Sequence, residues 1–514
     1  MLMFIIVNGR GLDRVPQINE DESWIAAPGV EFFETGHFAT RVFAGYFGSE
    51  RHYYDFMPLY SLLDGAAITA FGLSLQTIRS VSLFCATLTL LLTYLVGRRL
   101  LGAWHGVLAV LMLASWPIAA TGIKPYLSLS IGIPIADLGR IGRYDVLVPV
   151  LGLASLLAIL PTLEQNAASA WRLVSAGVLA GFAALTHYYG AVWIVVLCAL
   201  IIASHGISAK RRFVYIATGF GIALAPWVWF IFRDLPMFLV QKQTQAARYG
   251  ADLSAMPSEL ARYGLVWSAA AHGHFASLAW LASVLAGLAL LLIVARRSDT
   301  FGPRTLTLVL GVVLIFFSVL VRRRLFNYLG TVWPLLALTA SFALLYSWPA
   351  RARTAARVVA SLVIVGATAQ GVVVYAQLNE RSQSASSYTS VCDRITWNLP
   401  RSARLLALQH WWIGVGPRVA DYRSFIVPLT KMNPAESARP ITFEAAMAAD
   451  PMDYILIDPE MADVLRAAGD PRRPKASPFA VQIRAFLDER AVVVDQFNDA
   501  SYGEFTMYRV GSPR

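Results

Sequence analysis

Nine stretches of this chain carry no Asp, Glu, Lys or Arg: residues 80–97, 103–123, 146–163, 173–209, 213–232, 275–295, 305–321, 325–350 and 358–379. A bilayer core is crossed by about 20 helical residues, so this pattern predicts a polytopic α-helical membrane protein. The run 173–209 has 37 residues. As one helix it would be about 56 Å long, nearly twice the hydrocarbon core. It is expected to be two spans turning near His187-Tyr188-Tyr189-Gly190, which makes ten in all. Charged residues are 15% of the chain and hydrophobic ones 57%, against about 25% and 45–50% in soluble domains. A soluble cytosolic enzyme and a disordered chain are therefore excluded. The three cysteines cannot build a disulfide scaffold.

Met1–Val7 is apolar but too short to cross a membrane. It has neither the basic n-region nor the small-residue cleavage site of a signal peptide. It is expected to be the last turns of a first, truncated span, bringing the total to about eleven. Orientation follows from the basic loops. Loops 98–102, 164–172, 206–212, 296–304 and 351–357 total 37 residues and hold twelve Lys/Arg. Loops 124–145, 187–190, 233–274 and 322–324 total 71 residues and hold ten. The first set falls on one side when spans are counted alternately and is assigned to the cytoplasm. Loop 8–79 and residues 380–514 then lie outside, and the protein is expected in the cell inner (cytoplasmic) membrane.

The whole net charge of +11 lies in residues 1–379, while 380–514 carries sixteen basic and sixteen acidic residues. This divides the chain into a membrane domain, 1–379, and an extracytoplasmic α/β domain, 380–514. In the latter, β-branched runs predict strands at Arg404–Gln409, Arg423–Val427, Tyr454–Asp458, Ala491–Gln496 and Phe505–Arg509. Helices are expected at Phe443–Ala449, Pro459–Ala468 and Pro478–Glu489.

Nine of the sixteen acidic residues before residue 380 fall between Asp13 and Asp64. Taken alone they suit a solvated loop with Asp21 or Ser23 capping a helix. The following stretch, His52-Tyr-Tyr-Asp55-Phe-Met-Pro58-Leu-Tyr60, leads into Ser61–Phe71, which is apolar but for Asp64. A helix lying at the interface is expected there, with the acids beneath it placed to meet a lipid headgroup. A second cluster, Lys124, Asp137, Arg140, Arg143 and Asp145, occupies the next outer loop. Arg143 and Asp145, two apart, would point in different directions on a helix. Arg322-Arg323-Arg324 sits on the outer side against the charge trend. It either snorkels to lipid phosphates or clamps a substrate phosphate with paired donors. His187, at an outer turn, suits an aromatic interface belt better than a metal site; it is retained as a substrate-binding candidate.

The order of these features resembles the C superfamily of glycosyltransferases. The carrying residues are Asp21-Glu22 after a first span, Asp55-Phe-Met-Pro58-Leu-Tyr60, Phe71-Gly72-Leu-Ser, Ile78-Arg79-Ser, Gly97-Arg-Arg-Leu-Leu-Gly102 and Arg143-Tyr-Asp145. The nearest likeness is to bacterial relatives of the dolichyl-phosphate-mannose protein mannosyltransferases and the lipid A aminoarabinose transferases. By that resemblance Asp21 is the essential acid, with Glu22 and Asp55 beside it as catalytic candidates. Asp145, Arg143, Lys124, His187 and Arg322, Arg323 and Arg324 are substrate-binding candidates. A divalent metal is the one cofactor implied, since some members bind one. The implied donor is a polyprenyl-phosphate sugar. The implied acceptor is lipopolysaccharide, another envelope glycan or glycolipid, or a protein, and no nucleic acid is involved. Two departures stand out. Asp55-Phe56-Met57-Pro58 lacks the lysine relatives often carry there, and Gln241–Tyr249 lacks a histidine that some use for metal. The alternative class is a transporter or flippase of lipid-linked sugars. The near absence of ionisable residues in the central spans disfavours it.

Overall fold

A computed structural model describes residues 1–118, 131–164, 169–207, 209–246, 275–297, 300–321, 326–433, 437, 439–466, 468 and 477–511. The helices of the membrane part are α1 (Leu2–Gly9), α2 (Glu20–Thr35), α3 (Pro58–Phe71), α4 (Leu75–Leu100), α5 (Ala103–Ser115) and α6 (Pro134–Gly139). After them come α7 (Leu147–Glu164), α8 (Ala170–Thr186), α9 (Val192–His205), α10 (Lys210–Arg233) and α11 (Leu235–Ala246). The last four are α12 (Phe275–Arg297), α13 (Phe301–Leu320), α14 (Trp333–Leu344) and α15 (Ala350–Ser384). Among the described residues seven helical stretches are long and apolar enough to cross a membrane, and the apolar α5, α8 and α14 are shorter. Among the described residues, each uncharged run seen in the sequence overlaps at least one of these helices. The 37-residue run breaks where expected: α8 ends at Thr186, a 3-10 turn covers Tyr188–Ala191, and α9 follows.

Local signals explain the ends of the elements that carry the site. Pro58 opens α3, where its missing N–H costs nothing. Ser74 caps α4 by accepting from Thr77 N at 3.0 Å, and Arg98 and Arg99 close it against the negative end of the helix dipole. Helices α2 and α3 pack so closely that a Cβ on Gly29 would lie 1.8 Å from the Ser61 carbonyl oxygen. One on Gly65 would lie 2.4 Å from the Gly29 oxygen, so only glycine fits at this crossing. The bundle core is filled by large rings; Trp116, Trp193, Trp280 and Trp333 are all buried, and the Trp280 indole donates to the Trp116 carbonyl at 3.1 Å.

The chain beyond α15 forms a five-stranded sheet of β1 (Arg404–Ala407), β2 (Asp421–Ser424), β3 (Tyr454–Ile457), β4 (Ala491–Asp499) and β5 (Gly503–Val510). Its order is β2-β1-β3-β5-β4; β1, β2 and β3 run parallel, and β5 is antiparallel to β3 and β4. Two expectations are corrected. The strand expected over Arg423–Val427 ends at Ser424, and a helix begins at Ile426, two residues before Pro428. The expected boundary at 379/380 falls inside α15, which runs on to Ser384. The sheet domain packs on the acid-bearing end of the bundle. Ser424 N donates to the Val42 carbonyl at 3.1 Å, and Tyr388 N to that of Asp13 at 2.8 Å. Trp24, Phe43, Tyr53 and Tyr54 share one core with Tyr388, Trp411, Tyr422 and Phe505.

Candidate active site

The site grows from the first turn of α2. Its cap is Asn19, not Asp21 or Ser23 as expected: the Asn19 side chain accepts from Asp21 N at 3.0 Å, and Glu22 reaches back to Asn19 N at 2.8 Å. This reciprocal box satisfies two orphan N–H groups and leaves the Asp21 carboxylate to point elsewhere.

Glu22 is not where a catalytic group would be. Its carboxylate accepts from Arg79 Nε at 2.7 Å and Arg79 Nη2 at 2.8 Å, and from Gly142 N at 2.7 Å. Both side chains of the pair are 0% exposed. Arg79 also donates to the carbonyls of Leu12, Pro16 and Gln17. Gly142 must be glycine here, because a Cβ would meet Ile78 Cγ2 at 2.3 Å. Glu22 therefore ties α2, α4 and the 140–143 loop together. These contacts place Glu22 within the scaffold of the site.

Arg143 is the centre of the site. Its Nε donates to Asp145 Oδ2 at 2.8 Å and its Nη1 to Asp21 Oδ2, so one guanidinium bridges both acids. The sequence spacing suggested that Arg143 and Asp145 face different partners. The chain is not helical at Arg143, whose φ of −135° and ψ of 146° are extended, and the two side chains meet. Burial works against the charge on Arg143, but Asp145 more than offsets it, so its pKa is raised. Asp145 Oδ1 accepts from the Tyr189 hydroxyl at 2.9 Å. Arg143 and Asp145 are buried, whereas the Asp21 side chain is 24% exposed. Arg143 Nη2 is buried and has no hydrogen-bond acceptor among the described residues. A buried charged donor without a partner is costly, and this one is aimed from between two carboxylates.

His187 lies against this centre. Its ring stacks on Tyr144 at 4.6 Å and sits 4.1 Å from Tyr189 and 5.2 Å from Tyr328. Burial first, and then Arg143 and Lys242, push its pKa well below the usual histidine value, so it is neutral. Lys242 escaped sequence reasoning. It lies on α11, half-buried, with its Nζ 2.7 Å from the Asp55 carbonyl oxygen and 4.8 Å from the Tyr188 ring centre. The neighbouring Gln241 holds α11 in place: it accepts from Tyr54 N at 2.7 Å and donates to the His52 carbonyl at 2.8 Å. The only sequence signal was a lysine in an uncharged stretch close after α10. Asp55 itself is buried, and Phe56 beside it packs on Tyr144 at 5.5 Å. The structure thus gathers Asp21, Asp55, Arg143, Asp145 and His187. Lys124, Arg322, Arg323 and Arg324 lie outside the described residues.

Among the described residues the acids are engaged by Arg143 rather than arranged around a metal position. Arg143, a fixed cation, already occupies the space between Asp21 and Asp145. Among the described residues no three His, Cys, Asp or Glu side chains converge on a metal position.

No protein-family profile matches the chain, and no curated protein matches its sequence. Solved structures match its fold. ArnT from Cupriavidus metallidurans bound to undecaprenyl phosphate aligns with a TM-score of 0.62 at 14% identity, over 100% of this chain and 98% of that one. The Archaeoglobus fulgidus oligosaccharyltransferase in complex with zinc and sulfate gives 0.54 at 13%, over 99% of this chain and 73% of that one. Mycobacterial arabinofuranosyltransferase AftD gives 0.54 at 13%, over 99% and 39%. The chain shares its fold with these solved structures. Of these three neighbours, ArnT is the one whose whole length it spans.

Proposed function

We propose that the protein is an integral membrane glycosyltransferase. It moves a hexosyl or pentosyl unit from a polyprenyl-phosphate carrier to an envelope glycan, glycolipid or protein at the outer face of the cytoplasmic membrane. The observation that carries the reading is the buried Nη2 of Arg143, beside Asp21 and Asp145 and without an acceptor among the described residues. A phosphate oxygen is the acceptor it lacks. The likeness in fold to ArnT bound to undecaprenyl phosphate supports a lipid-borne donor.

The chemistry follows from the exposures. Asp21, the open carboxylate, takes the proton from the acceptor hydroxyl as general base. The acceptor oxygen forms its bond to the anomeric carbon as the bond from that carbon to the phosphate oxygen breaks, and the configuration inverts. Negative charge moves onto the departing lipid phosphate, where Arg143 and Lys242 offset it. Asp145, itself held by Tyr189, keeps Arg143 in its orientation, and neutral His187 packs on Tyr144 and Tyr189 beside it.

The test is transfer of labelled sugar from a polyprenyl-phosphate donor by protein in sealed vesicles. Asp21→Asn should lower turnover by about 100–10,000-fold while donor binding and folding persist. Transfer should reach only acceptor on the outer face. Near wild-type turnover of Asp21→Asn at saturating donor would sink the assignment.

A further inference from the structure

Helix α4 begins beside the acids, where Arg79 grips Glu22, and ends at Leu100 after 26 residues. At about 1.5 Å per residue that is about 39 Å, so Leu101–His105 mark the opposite end of the bundle. A cavity of about 750 Å³ opens there between the start of α5, the end of α14 and the first turns of α15. Nothing in the transferase site reaches it. We propose that this cavity binds the headgroup phosphate of an anionic phospholipid in the leaflet opposite the acids.

Two arginines set its charge. Arg353 and Arg357 line the cavity one helical turn apart, on the same face of α15. Arg357 makes no hydrogen bond or ion pair among the described residues. Arg353 makes one long bond, from Nε to the Trp348 carbonyl at 3.4 Å, which leaves its terminal nitrogens open. A planar guanidinium with open donors matches a phosphate. Helix α5 points the same way: it starts at the cavity from Gly102 with no side-chain cap, so no side chain takes up its first N–H groups.

The rest of the lining argues for a lipid rather than a dissolved anion. Trp104 is 76% and Trp348 36% exposed, and both lie on the cavity wall. Amphipathic rings of this kind sit at headgroup level. Below the arginines the wall continues as Leu344, Ala360 and Ile364, an apolar path for an acyl chain. The volume falls within the range of about 300–1,000 Å³ usual for small-ligand sites. The inference needs the membrane fold but not the transferase reading.

The test uses the full chain in nanodiscs of phosphatidylcholine with added phosphatidylglycerol. Phosphatidylglycerol retained by the purified protein is counted by native mass spectrometry. R353Q/R357Q should lower retention by about thirty-fold, the loss of two arginine–phosphate contacts. R98Q/R351Q removes the same charge from the same end, outside the cavity, and should leave retention unchanged. All four arginines are exposed, so both variants should fold, and unfolding temperatures check this. Equal losses in the two variants would reduce the effect to general attraction between basic loops and anionic lipid, and would overturn the site. So would displacement of the retained lipid by millimolar inorganic phosphate.

Discussion

Replacing Glu22 by Gln keeps the size of the side chain and changes one oxygen to an amide. Four hydrogen bonds converge on the Glu22 carboxylate, two from Arg79 and one each from Asn19 N and Gly142 N. Each oxygen accepts two of them, so either orientation of the amide turns its NH2 toward two donors. Arg79 keeps its charge at 0% exposure with its counter-ion gone. Breaking a buried ion pair from one side costs about 3–5 kcal/mol, and the carbonyls of Leu12, Pro16 and Gln17 that still hold Arg79 place the expected loss at about 3 kcal/mol, the lower end of that range. The assay is chemical unfolding of the purified protein, with sugar transfer measured below the onset of unfolding. Glu22→Gln should lose that stability yet keep turnover within about tenfold of wild type, far from the general-base range. A variant that unfolds like wild type but loses transfer as Asp21→Asn does would refute the positioning role and return Glu22 to the chemistry.

Arg143→Lys keeps a charge but cannot bridge Asp21 and Asp145 while also offering a third donor. It should raise the donor KM and lower kcat by at least about tenfold, the value of one charged hydrogen bond, read from steady-state transfer. Lys242→Gln should weaken donor binding with little effect on stability, since its Nζ is bonded to a carbonyl at a half-buried position; donor titration measures it. Stability should fall with acid below about pH 6.5. His187 has a depressed pKa in the folded state, so the unfolded chain binds the proton first, and its contribution is intact above the unfolded value and lost as the pH drops toward the folded one. Unfolding of His187→Gln against pH should show a shallower decline by up to about 1.4 kcal/mol per unit.

The spans were legible because burial in lipid imposes one rule on every residue of a helix, and uncharged runs record it directly. Even the break at His187–Gly190 followed from length alone. The strands of the sheet domain were legible for a similar reason, except at Arg423–Val427, where a local apolar pattern hid the switch to a helix at Ile426. Within the site, the charges alone read as a solvated loop and helix ends, and Asp21, Arg143 and Asp145 stood out only through the ordered motifs of the resemblance. What each one touches was not visible. Glu22 and Asp21 look alike as neighbours in an acidic run, and only the meeting of α4 with the 140–143 loop buries one and leaves the other open. Lys242 was missed because its role depends on α11 folding back over Asp55, a contact separated by 187 residues.

Helix α4 also works as a depth gauge. Between Arg79, locked to Glu22, and Arg98 at the far end, its 18 intervening residues carry no charge. They span about 27 Å, close to the thickness of the hydrocarbon core. The lower arginine can only rest at one membrane surface, which places Arg79, and Asp21 one residue from its partner, at the level of the other. In the proposed reaction the phosphate of a membrane-bound donor would lie at that height and meet Arg143 without leaving the lipid, and the acceptor would have to come to it. Adding one turn to α4 would raise the acids by about 5.4 Å, lifting them off the plane in which the carrier's phosphate moves.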